Sequence, residues 1–190
     1  GHAAGDPPRP VGAALQQPGR QREAGLVVNA LHGGLEFSEL VGLNVRPETI
    51  ELERFDAFLD EIERKQIARL QRLGEMCLIE ARTNKGYMMQ TGALLSSTGY
   101  QVFVDGVAIH TQFDAASGAE SNAAEIGIKA GQTIADKIGK ETKGVCLVVV
   151  AGMNYATYVE ARGRNVLSSA EHLAERELPK MLEKLINNVK

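Results

Sequence analysis

The chain predicts an α+β domain, a small antiparallel sheet with a long N-terminal amphipathic helix, an inserted helix and a C-terminal helix. Apolar residues recur at spacings of three and four from Phe55 to Cys77, which marks one face of a helix. Two β-rich runs, Tyr100 to Val104 and Val107 to Thr111, flank Asp105-Gly106, a dipeptide that favours a type I′ hairpin because both of its residues tolerate positive φ. A second helical period closes the chain in Leu178, Met181, Leu182, Leu185, Ile186 and Val189. The order helix, hairpin, helix, strand, helix places the helices on one face of the sheet.

The elements follow in order. Residues 1–25 hold Pro7, Pro8, Pro10 and Pro18 among several Gly, Arg and Gln; such a stretch buries too little apolar surface to offset its ordering entropy and reads as a flexible arm or non-native leader. Residues 26–45 alternate short apolar runs with glycines and leave a weak hairpin and a loop both open. A single domain is expected from 46 to 190. Pro47 suits the first turn of a helix, with Glu48, Glu51 and Glu53 near the positive end of its dipole. The apolar stripe is Phe55, Phe58, Leu59, Ile62, Ile67, Leu70, Leu73 and Cys77, with Asp60–Arg64 and Glu61–Lys65 as i,i+4 pairs on the wet side. Thr83-Asn-Lys-Gly86 ends this helix near Arg82. After the hairpin, Ile126, Ala130, Ile134, Ala135 and Ile138 predict a helix over 122–140, which Gly127 and Gly131 weaken. Val145 to Ala151 is a continuous β-branched run, fitting a central strand covered on both faces or buried at a subunit contact. Ser168-Ser-Ala-Glu171 has capping-box spacing, and Pro179 is expected to kink or restart the last helix.

Composition removes several classes of function. With 190 residues the chain has room for one core. At 44% hydrophobic and 24% charged it is ordinary globular material, and no apolar run reaches the ~20 residues a membrane-spanning helix needs. A net charge of −3 provides no general attraction to nucleic acid. Cys77 and Cys146 lie far apart in apolar surroundings and read as reduced core residues.

The search for chemistry returns little. His2, His32, His110 and His172 do not pair at metal-ligand spacing. His110, on a predicted strand, is a candidate base but is more simply a structural residue. Gly139-Lys140 fails as a phosphate loop, because Ile134 stands where a glycine is needed and Glu141 where Ser or Thr is needed. No catalytic residue, cofactor site or metal site is assigned.

Two segments flanking the hairpin and the apolar strand are distinctive. One is Met89-Gln-Thr-Gly-Ala-Leu-Leu-Ser-Ser97, and the other runs from Gly152 through Tyr155-Ala-Thr-Tyr-Val-Glu160 to Gly163. Thr91 can cap a short helix, Gly92 permits close backbone approach, and one ring of Tyr155 and Tyr158 can pack inward beside Val159. In order and spacing these elements, Thr91-Gly92-x-Leu94-x-Ser96 and Tyr155-Ala156-x-x-Val159-Glu160, resemble the head–tail joining, or tail-completion, family of long-tailed bacteriophages and prophages, over about residues 46–190. The chain departs from that family at Leu95, where a basic residue is usual, and at Glu160-Ala-Arg-Gly163-Arg164, where Gly-Thr soon follows the Glu. Its segment from Asp114 to Lys143 is longer than the usual connection and stands as a candidate for a contact of its own.

The resemblance implies a non-catalytic structural protein of the virion, assembled in the bacterial host cytoplasm. It implies a homo-oligomer, a hexameric ring at the head–tail junction, between portal-side connector proteins and the tail-tube protein, with DNA passing through an axial channel and no membrane involved. The candidate interface residues are Thr91, Gly92 and Leu94, then Tyr100, Val102 and Val104 for edge contacts between neighbouring sheets, and Tyr155, Tyr158, Glu160, Arg162 and Arg164 for inter-subunit or portal-side contacts. Two other readings stay open. One is a monomeric or dimeric adaptor that docks through an exposed stripe on the long helix; the other is a small hydrolase built around His110 or the acidic helix face.

Overall fold

The computed structural model describes residues 24–29 and 49–187. Strand β1 spans Ala24–Asn29 and helix α1 Thr49–Thr83; a short helix α2, Ala93–Ser96, leads into β2, Thr98–Val104, and β3, Val107–Gln112. Helix α3 spans Ser121–Gly139, β4 Val145–Ala151, α4 Ala156–Ala161 and α5 Ser168–Asn187. The α+β class is as the sequence predicts, and α1 and α5 lie close to their expected bounds.

The sheet is antiparallel throughout, in the order β1-β4-β2-β3. The hairpin forms at Asp105 and Gly106, whose φ values of 47° and 81° are those of a type I′ turn. β4 is central, between β1 and β2, and all seven of its residues are buried. A strand apolar at every position has no wet face, so both of its faces must be covered. This corrects the expectation that the helices share one side. Tyr100 and Val102 of β2, with Val145, Leu147, Val149 and Ala151 of β4, face α1 and α5, where they meet Leu70, Leu73, Cys77, Ala170, Ala174 and Leu178. Phe103, Cys146, Val148 and Val150 point the other way, onto Ile134, Ala135 and Ile138 of α3.

The segment from Asp114 to Lys143 therefore builds core, rather than serving only as an external contact. Its glycines are what allow this. A Cβ on Gly127 would strike the carbonyl oxygen of Ala93, and one on Gly131 would meet Ser97 O and the Phe113 ring, each at 2.5 Å. Residues that cost helix propensity thus let the α3 backbone lie directly on its neighbours.

Three further expectations change. The strand β1 begins at Ala24, so the last two residues of the expected arm and part of the undecided segment belong to the sheet, and the domain starts before residue 46. The rest of 1–45, residues 1–23 and 30–45, lies outside the described residues. On α1, Glu61 pairs with Lys65 at 2.7 Å as expected, whereas Arg64 Nε donates to the Asp60 carbonyl oxygen at 3.3 Å and not to its carboxylate. Helix α5 continues through Pro179 as one helix.

Candidate docking surface

The register of β2 on β4 decides where the two flanking segments go. Thr98 stands opposite Ala151, so the residues just outside the pairing are Ser97 and Gly152, and Gly152 N donates to Ser97 O at 3.1 Å. Segments more than fifty residues apart in sequence thereby share one end of the sheet. Helix α3 backs the junction, since a Cβ on Gly152 would collide with the backbone of Gly131.

The first segment is rigid and mostly inward. Gly92 occupies the position before α2 with φ 85°; Thr91 is exposed, and its Oγ1 lies 3.5 Å from Ala93 N, at the limit of a hydrogen bond, so the expected Thr91 cap is replaced by a glycine entry. Leu94 is buried in the core that β2 and β4 share with α1 and α5. Ser96 Oγ accepts the Ala116 N–H at 2.9 Å, and Leu94 O accepts the Ser97 hydroxyl at 2.7 Å and the Thr98 hydroxyl at 3.2 Å. Thr91-Gly-x-Leu-x-Ser is here a structural motif that sets the start of β2.

In the second segment Glu160 leaves its expected role as a contact. Its carboxylate accepts the N–H groups of Val166 at 3.2 Å, Leu167 at 2.9 Å and Ser168 at 3.0 Å, and also the Ser168 hydroxyl. These are donors at the start of α5, which have no partner within the helix, and a negative charge there also meets the positive end of the helix dipole. Glu160 thus takes the place expected of the Ser168–Glu171 box, and Asn165 Oδ1 accepts the Ser169 N–H at 3.0 Å. Arg164 Nη1 donates to Gly86 O at 3.2 Å, Gly86 N donates to Asn165 O at 2.9 Å, and Asn165 Nδ2 donates to Asn84 O at 2.6 Å. The loop after α1 and the loop before α5 are laced together by these bonds, so Arg164 is a structural tie.

What faces solvent from this frame is aromatic and basic. Tyr155 is 40% exposed and Tyr158 57%, so neither ring packs inward as expected; Ala156 fills that place at full burial, with Val159 against the same core. The Arg162 guanidinium lies 4.4 Å from the centre of the Tyr158 ring, a cation–π stack that holds both side chains. On the loop after α1, Met88 is 87% exposed, and the Tyr87 hydroxyl is pushed up to about 12, chiefly by burial and then by the neighbouring Tyr155. Tyr, Met and Arg are the residue types that protein interfaces concentrate. Sequence reading missed Met88 and Tyr87, whose only signal was their place directly before the segment that begins at Met89.

The edge residues named from the sequence are corrected. Tyr100 and Val102 are fully buried and Val104 packs against the same core, because β2 is paired on both sides. The outer strand of the hairpin is β3, where Val107 is 65% and Ile109 44% exposed.

His110 sits on β3, with Nε2 3.2 Å from the Tyr100 hydroxyl, which donates to Glu75 Oε1 at 2.8 Å. With that proton committed to Glu75, Nε2 of His110 is the donor to Tyr100. The arrangement ties β3 to α1. A shallow groove between α1 and α5 is lined by Leu70, Leu178, Met181, Leu182 and Leu185 with Gln66 and Arg69, and His110 is not part of it. Among the described residues no group of three His, Cys, Asp or Glu side chains is placed to hold a metal ion, and no helix is long and apolar enough to cross a membrane.

Fold and surface define an α+β protein with an open antiparallel sheet and a braced aromatic–basic end. Comparison with protein-family models, with curated proteins and with solved structures finds no match to this chain.

Proposed function

We propose that the chain is a structural protein of a long-tailed bacteriophage or prophage, forming a hexameric ring at the head–tail junction that completes or terminates the tail. It acts by oligomerisation and docking, without catalysis or cofactor. It assembles in the bacterial host cytoplasm and resides in the virion, between portal-side connector proteins and the tail-tube protein, with DNA passing through the ring. The observation that carries this reading is the meeting of its two family-like elements at Ser97 and Gly152, next to a surface that exposes Tyr155, Tyr158 and Arg162. A junction protein needs a preformed surface whose side chains lose little freedom on docking, and a stacked Tyr–Arg pair at the end of α4, just before the cross-tied loop, meets that need.

The adaptor alternative needs a large exposed apolar stripe on α1. Leu70, Leu73 and Cys77 of that stripe are instead covered by the sheet and α5 and Phe58, Leu59 and Ile62 are half-buried, so the described part of the stripe is not a large exposed one, which favours the ring. Light scattering on the protein alone, then with tail-tube or portal-side proteins encoded beside it, tests the proposal. A closed oligomer in either condition is expected, and a strict monomer in both overturns it.

A further inference from the structure

The sheet has a parity that bears on how copies would join. Along the order β1-β4-β2-β3 each strand runs opposite to its neighbour. With four alternating strands, β1 and β3 run in opposite directions. A second copy brought up in the same orientation, its β3 beside the first copy's β1, therefore continues the antiparallel alternation without a break.

Among the described residues β1 and β3 are the outer strands, and both are suited to such pairing. Each has six residues, Ala-Gly-Leu-Val-Val-Asn in β1 and Val-Ala-Ile-His-Thr-Gln in β3, and neither contains a charged residue or a proline. Charges and prolines are the usual means of blunting an edge against association. The edge strand β3 instead exposes Val107 and Ile109. Ile109 falls at the irregularity between the Val102–His110 and Phe103–Ala108 pairs, and a bulge there bends and twists the strand, which closing a sheet into a ring requires.

We propose that in the ring β3 of each copy pairs with β1 of the next, making one continuous antiparallel sheet; this rests on the ring reading above. Self-pairing of β3 about a two-fold axis would leave β1 unpaired. Extended to both edges, it would also give a ring whose two faces are alike, unsuited to one partner above and a different one below. The head-to-tail contact satisfies both edges with one interface and keeps the faces distinct.

The test combines mass with hydrogen exchange, on the protein alone or in complex with the tail-tube protein, whichever is oligomeric. The amides of residues 24–29 and 107–112 should both gain protection in the oligomer. Val107→Lys with Ile109→Lys, both at exposed positions, should reduce the oligomer to single chains with little change in the monomer's melting temperature; Ile109→Lys alone serves if the pair fails to fold. A ring of unchanged mass in a folded variant overturns the β3–β1 contact while leaving the ring reading intact. Protection of β3 without β1 overturns it as well, in favour of a two-fold pair. A wild-type chain that stays monomeric under both conditions removes the ring and this contact together.

Discussion

Glu160 holds the Leu167 N–H at 2.9 Å, and through this bond and its neighbours a residue of α4 caps the helix that covers the sheet. If the cap is the role of Glu160, Glu160→Ala should lower the stability of the monomer by about 1–2 kcal/mol, with Glu160→Gln losing less. Chemical denaturation measures this directly. An unchanged denaturation midpoint together with weakened docking would return Glu160 to the interface.

Gly131→Ala separates helix propensity from packing. Propensity alone predicts a gain of about 1 kcal/mol in a helix interior. The Cβ would instead lie 2.5 Å from Ser97 O and from the Phe113 ring, and overpacking of this kind costs roughly 1–3 kcal/mol. The expected sign is destabilising, and a raised melting temperature would refute the close approach of α3 to the sheet.

The proposed docking surface should be separable from the fold. Tyr158→Ala and Arg162→Ala alter exposed side chains and should change stability by no more than about 0.5 kcal/mol. Affinity for the proposed tail-tube or portal-side partner, measured by calorimetry, should fall by roughly tenfold or more for Tyr158→Ala if it is an anchor residue. Wild-type affinity in both variants and in Met88→Ala would place the docking surface elsewhere.

Alkaline pH should weaken the fold through its thiols. Burial pushes Cys77 and Cys146 from the ordinary 9.0 up to about 12, with Glu80 adding to the effect at Cys77, and Tyr87 moves in the same direction from 10.0. The folded chain keeps these groups protonated where the unfolded chain releases its protons. Their contribution is therefore complete below about pH 9 and is lost as pH rises toward 12. Denaturation midpoints should be flat from about pH 7 to pH 9 and fall above that. Native protein should also resist a thiol reagent at neutral pH until denaturant is added; rapid labelling of either cysteine without denaturant would contradict their burial.

The chain's local pattern was enough to determine α1, the hairpin, α3, β4 and α5, because helical periodicity and a turn dipeptide depend on residues within a few positions of each other. Asp105-Gly106 adopts the backbone expected of it for that reason. What only the tertiary structure decided is which elements become neighbours. Tyr100 and Val102 looked like edge residues until β4 was found beside them, and the pattern of β2 carries no mark of a strand that arrives forty residues later. Gly127 and Gly131 read as flaws in a helix until the surface beneath them was known. Glu160 and Ser168 are eight residues apart with a turn between them, beyond the reach of a capping-box pattern. The meeting of Ser97 with Gly152, beside the proposed docking surface, is likewise set by strand register across the whole sheet. Local preference determines what each segment is; burial of a strand apolar on both faces determines how the segments assemble.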